Sequence, residues 1–226
     1  MQNQTYFDAV EVLDAELAGL GALLQTLDGE RAWLTPTNLV PEGEGLPPWR
    51  VIDLIAHIDI SIGLTHQLLD SLQDGQPGRD RASFFIANRS EVAPVVYDYA
   101  RATARDHTPE TLLPRVLNTL ETSLKRIRES QPEFVGSGYF ALMSLEEWVP
   151  TRVVEAVVHG LDITDALGME PIATRGGLEM TAGILDELLA RKAVAGRPRD
   201  LGEDLDWVRA GSGRAPHSDP RLPLIV

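Results

Sequence analysis

From Thr5 to Leu27 (TYFDAVEVLDAELAGLGALLQTL) apolar residues recur at steps of three and four, and the pattern stops at Asp28-Gly29. That period belongs to a helix with one buried face, and the Gly is suited to its end. The same period runs over roughly residues 48–72 (PPWRVIDLIAHIDISIGLTHQLLDSL), whose leading prolines fit a first helical turn, and again over residues 90–106. Thr108 and Pro109 read as the N-cap and first residue of a helix reaching about Ser130, with Pro114 a kink point in its early part. Ser144 with Glu147 three residues later has the form of a capping box, and Gly168 closes the long apolar segment that follows, with Pro150 expected to bend or restart it. A sixth helix is predicted over about 174–194. Gly75 to Asn88 reads as a loop, either the rim of a site or plain surface, and no alternating pattern is long enough to predict a strand.

Six helices joined by modest loops predict an all-α protein, an antiparallel four-helix bundle with an extra helix. Residues 1–170 would form the bundle, and residues 171–226 a C-terminal helix and a short irregular extension packed on it, since Pro, Gly and Asp crowd the tail. Composition removes several function classes. A formal charge of -14 argues against a nucleic-acid partner, which needs clustered Lys and Arg. No apolar run approaches the roughly 18 residues of a membrane span, so no membrane partner and a cytoplasmic location are expected. There is no cysteine, which excludes disulfides, thiolate metal sites and a protein thiol nucleophile; any thiol chemistry must use a thiol from outside.

One segment carries chemistry. In RVVEAVVHGLD, Arg152, Glu155, His159 and Asp162 fall within a strip about 80° wide on a helix whose other positions are apolar or small. A helix of that kind is surrounded by protein, so the strip faces something other than bulk water. Two readings are open: a buried ion-pair network among the four, or a metal site. Glu155 and His159 are four residues apart and project from adjacent turns, so both can reach one ion. A catalytic zinc takes three protein ligands and leaves a position open, and the third candidate is His57, set among Leu54, Ile55, Ala56 and Ile58. Asp53 and Asp162 each lie about one turn from a histidine, where a carboxylate either accepts the free ring N–H or pairs with Arg50 or Arg152. His66, His107 and His217 read as solvated. The TRGGLE stretch starts a helix and forms either an anion-binding N-terminus or a simple turn. Trp49, Trp148 and Trp207 read as core or rim packing, and P-loop, GxSxG and HExxH patterns are missing.

The pairing of WRVIDLIAHI (Trp49 to Ile58) with TRVVEAVVHGLDITDALG (Thr151 to Gly168) resembles the mycothiol-dependent maleylpyruvate isomerase family, part of the DinB-like metalloenzyme superfamily, over roughly residues 5–170. The resemblance implies a DinB-like four-helix bundle holding a divalent metal, most often zinc, with mycothiol or another low-molecular-weight thiol as cosubstrate. The family's ligands fall on His57, Glu155 and His159; this donor set also accepts nickel or iron. Arg152 and Asp162 would support the ligands, and Arg89 and Arg214 would anchor a carboxylate-bearing thiol or substrate. The activity implied is a thiol transferase or isomerase acting on a small electrophile, in a monomer or homodimer. The alternatives are a hydrolase using metal-activated water, or a non-catalytic binding protein whose site is closed by a fourth ligand, Asp53 or Asp162.

Overall fold

The computed structural model describes residues 2–39, 46–86, 89–138, 141–193 and 195–225, with residues 2, 3 and 89–92 described by backbone alone. Four long helices make the framework: α1 (Gln2–Thr26), α3 (Val51–Asp70), α6 (Pro109–Arg128) and α7 (Leu145–Leu167). Each packs against two of the others, α1 on α6 and α7, and α3 on the same two, which closes a ring around a shared core. Leu13, Leu20, Ile55, Ile62, Val116 and Val153 are among the side chains sealed inside it. The helical periods seen in the sequence are the rows that supply these residues.

Helix directions follow from which residues meet. His57 and Ser61 of α3 lie beside Glu155 while Thr65 receives the indole N–H of Trp148, so α3 and α7 run antiparallel. The Tyr6 hydroxyl donates to the carbonyl of Ile127, and Gly21 approaches Leu117, so α1 and α6 are antiparallel as well. Helices α3 and α6, however, run in the same direction: Asp59 meets Arg115 and Asp70 meets Arg126. The all-α bundle is as expected, with mixed rather than uniformly alternating directions. The reason is α5 (Arg89–Arg105), which packs on α3 and returns the chain to its starting end.

Smaller elements complete the molecule. Helix α2 (Gly29–Leu34) follows α1, and the short α4 (Arg81–Phe84) lies in the segment expected to be a loop. A two-stranded antiparallel sheet, β1 (Val135–Gly138) with β2 (Ala141–Ser144), precedes α7, where no strand was expected. Helix α8 (Arg175–Lys192) packs on α7 and α1, and α9 (Asp204–Gly211) packs on α8 within the tail expected to be irregular.

Pro150 does not restart α7, which is one helix from Leu145 to Leu167. The proline lies in its second turn, near the end where few intrahelical bonds are at stake. Gly168 ends the helix in the left-handed region at φ 65°, and the next N–H, of Met169, reaches back to the carbonyl of Thr164. The expected capping box is not formed: Ser144 makes no side-chain cap, and Glu147 accepts the backbone N–H of Arg81 instead. Among the described residues no helix is long and apolar enough to cross a membrane.

Candidate metal centre

The polar strip of α7 meets α3 along their antiparallel contact. His57 Nε2 lies 3.3 Å from Glu155 Oε2, and His159 Nε2 lies 3.4 Å from the same oxygen. Candidate ligand atoms of all three residues lie within 4.8 Å of one another, and the two imidazole rings stand edge to face at 4.8 Å. Glu155 and His159, named from their spacing, and His57, named as a histidine among apolar residues, are thus brought together by two helices. Ser61, one turn after His57, adds its hydroxyl to Glu155 Oε2 at 3.1 Å. Ser61 was not singled out from the sequence, although its position four residues beyond His57 on one helical face is the signal that places it there.

Asp162 and Arg214 hold the outer side of this cluster. Asp162 Oδ2 accepts the Nδ1–H of His159 at 3.0 Å, and the Asp162 carboxylate receives Arg214 Nε at 3.0 Å and Nη2 at 2.9 Å. Arg214 also donates through Nη1 to the carbonyl of Ser212, so its charge is matched, and only 8% of its side chain is exposed. Asp53 makes no such contact with His57. Its carboxylate is taken by the backbone and guanidinium of Arg50, the local partner three residues away. His57 Nδ1 is buried without a hydrogen-bond partner among the described residues. Arg89 heads α5, and its side chain lies outside the described residues.

Arg152 lies behind the ligands rather than beside them. Only 1% exposed, it donates through Nη1 to the carbonyl and hydroxyl of Ser61, and its guanidinium rests 4.2 Å from the ring centroid of Trp148 and 5.2 Å from that of Phe84. Burial pulls its pKa down to about 10, against the opposing charge of Glu155.

The acids and bases of the cluster are shifted in consistent directions. Burial pushes Glu155 up, but hydrogen bonds from His159 and His57 and the charge of Arg152 outweigh it and hold the carboxyl well below its usual range. Burial likewise opposes the charged form of His159, yet Asp162 and Glu155 raise its pKa; His57, buried and with weaker support, is lowered. Asp162, despite burial, is kept ionised by Arg214 and His159.

These residues fit a divalent cation. With Asp162 an anion, His159 must donate through Nδ1, which leaves its Nε2 lone pair facing an oxygen of Glu155. Two acceptors that close require a proton or a cation between them. Two imidazole nitrogens and one carboxylate are a donor set suited to zinc, nickel or iron.

Over Glu155 and His159 lies a cleft of about 320 Å³, open mouth included, lined also by Phe85, Val154, Val158, Arg214 and Ile225. Phe85 and Ile225 were not named from the sequence; one follows a helix of four residues and the other lies in a tail that carried no periodic signal. The remaining histidines differ from expectation in part. His66 is half-buried against α6, beside Thr122, Ser123 and Arg126; His107, near Thr111, and His217, which bonds Asp200, are half-buried too. The TRGGLE stretch does start a helix that meets an anion, and the anion is internal: Glu16 accepts the backbone N–H and hydroxyl of Thr174.

No curated protein and no solved structure matches the chain. The family model described as the mycothiol maleylpyruvate isomerase N-terminal domain matches residues 13–164, which takes in α3 and α6, most of α7, the second half of α1, the three candidate ligands and Asp162, and stops short of Arg214 and Ile225. The chain therefore belongs to the mycothiol maleylpyruvate isomerase N-terminal domain family.

Proposed function

We propose that this protein is a metal-dependent enzyme that uses a divalent cation, held by His57, Glu155 and His159, to activate a low-molecular-weight thiol such as mycothiol for attack on a small electrophile. The observation that carries the reading is the convergence of two Nε2 atoms on one oxygen of Glu155, 3.3 and 3.4 Å away, with the second nitrogen of His159 already committed to Asp162. Bound there, the cation lowers the pKa of a thiol brought to it, so that thiolate is present at neutral pH.

The chain's own residues prepare this chemistry. Asp162 fixes the tautomer and orientation of His159, and Arg214 keeps Asp162 ionised for that task. Ser61 and Arg152 hold Glu155 as a carboxylate on the α3 side. Val154, Val158, Phe85 and Ile225 give the cleft above it apolar walls. The chain supplies no cysteine to compete with a guest thiol.

An open coordination position separates this reading from a structural metal site. Asp53 and Asp162, the carboxylates that could close the site, are engaged by Arg50 and Arg214, which supports a site with room for a guest. Cobalt-loaded protein titrated with mycothiol tests the proposal: a new sulfur-to-cobalt absorption band that saturates with thiol is expected. An unchanged spectrum, with cobalt still bound, would transfer support to metal-activated water and a hydrolase.

A further inference from the structure

The cleft is unequal in its chemistry. Its floor is polar, formed by Glu155 and His159, while Phe85, Val154, Val158 and Ile225 make apolar walls. Both outer walls are fixed by the fold. Phe85 ends α4, which is tied down by Arg81 to Glu187 at 2.9 Å, Asp80 to Arg191 at 2.8 Å and the Arg81 N–H to Glu147 at 2.8 Å. Its neighbour Phe84 stands edge-on to both Phe85 and Trp148. Ile225, 5% exposed, is held by its own N–H and that of Leu224, both donated to the carbonyl of Gly211 at the end of α9.

Positive charge among the described lining residues, by contrast, is already matched. Arg214 is the cation among the described lining residues, and Asp162 takes it in a two-pronged pair. Arg152 is sealed behind Ser61. A dicarboxylate such as maleylpyruvate would have to place a second negative group against apolar walls and beside Glu155, with the desolvation penalty that this carries.

From this we infer that the site takes an uncharged electrophile, whose polar reacting end lies at Glu155 and His159 and whose apolar part packs between Phe85, Val154, Val158 and Ile225. This rests on the metal reading above. It makes Phe85 and Ile225 specificity-determining residues, and Ile225 comes from the segment beyond the family match.

The test uses chelating probes on the zinc-loaded full chain, with binding measured by isothermal titration calorimetry: acetohydroxamate, butanohydroxamate and hexanohydroxamate, together with succinic monohydroxamate, which ends in a carboxylate. Affinity should rise by about fourfold for each methylene that reaches the walls, and the carboxylate-ended probe should bind at least about tenfold more weakly than the alkyl probe of similar length. F85S and I225S should flatten the alkyl series relative to wild type. A flat series in the wild type, or preference for the carboxylate-ended probe, overturns the inference and leaves the metal reading standing. Failure of every hydroxamate to bind protein that holds zinc overturns the open coordination position on which the proposed function rests, and the inference with it.

Discussion

Replacing Asp162 by Asn isolates the link between the tail and the candidate ligands. Asp162 is 6% exposed, and its two oxygens receive three N–H groups, one from His159 and two from Arg214. An amide of the same shape offers one acceptor oxygen and turns an NH2 toward at least one of those donors. It also leaves the Arg214 guanidinium, 8% exposed, without its counter-charge. Breaking a buried pair by removing one partner costs roughly 3–5 kcal/mol, and a well-fitting amide recovers part of that, so D162N should lose about 3 kcal/mol in the metal-free protein. In a chain of this size that corresponds to a fall in Tm of about 6–12 °C. Affinity for zinc should fall by about 10–100-fold, because His159 loses the acceptor that sets its tautomer. Urea denaturation and competition with a chromophoric chelator measure the two effects. R214M serves as the second arm: if the pair acts as a unit, the double variant D162N/R214M loses at least about 1 kcal/mol less than the sum of the singles. Stability and zinc affinity both unchanged in D162N would refute the assignment of Asp162 as the residue that positions His159.

Further expectations concern the framework. Burial, followed by the charge of Glu133, pushes Tyr6 up to about 12 from the usual 10, so the native state favours its neutral form. The stabilisation is complete below pH 10 and is lost as pH rises through about 12, on the order of 2–3 kcal/mol; denaturation from pH 9 to 12 should show this loss in wild type and a smaller one in Y6F. G136A should destabilise the fold by about 2–3 kcal/mol in urea denaturation, since a Cβ there would overlap the Leu68 carbonyl where β1 crosses the end of α3. E16A should cost about 2 kcal/mol by the same assay and reduce hydrogen-exchange protection at the start of α8, because the Thr174 N–H loses its buried acceptor.

The long elements were legible because each buries one continuous face, so the three-and-four step in α1, α3, α6 and α7 is the packing pattern itself. Glu155 and His159 were legible for the same reason, since helical spacing sets which side chains share a face, and His57 stood out as a polar residue on an apolar one. What depends on tertiary partners was not. The strands β1 and β2 have four residues each and carry too little alternation to register, while α9 is a helix of eight residues in a segment dense in Gly, Pro and Asp. Glu147 fits a capping box by spacing, but the backbone of Arg81, 66 residues away in sequence, offers it another donor. Asp53 had a choice between Arg50 and His57, and the arginine three residues away won through three bonds. Phe85 and Ile225 reach the cleft only because α4, α8 and α9 pack where they do.

The metal content of protein purified without a polyhistidine tag, equilibrated with zinc and dialysed, bears most directly on the candidate centre. Wild type should retain about one ion per chain, and H57A and H159A, each still folded by circular dichroism, should retain less than about a tenth of that, because a ligand from either helix is indispensable to a three-ligand site. Equal zinc in wild type and both variants, or none in wild type, would contradict the assignment of His57, Glu155 and His159 as metal ligands.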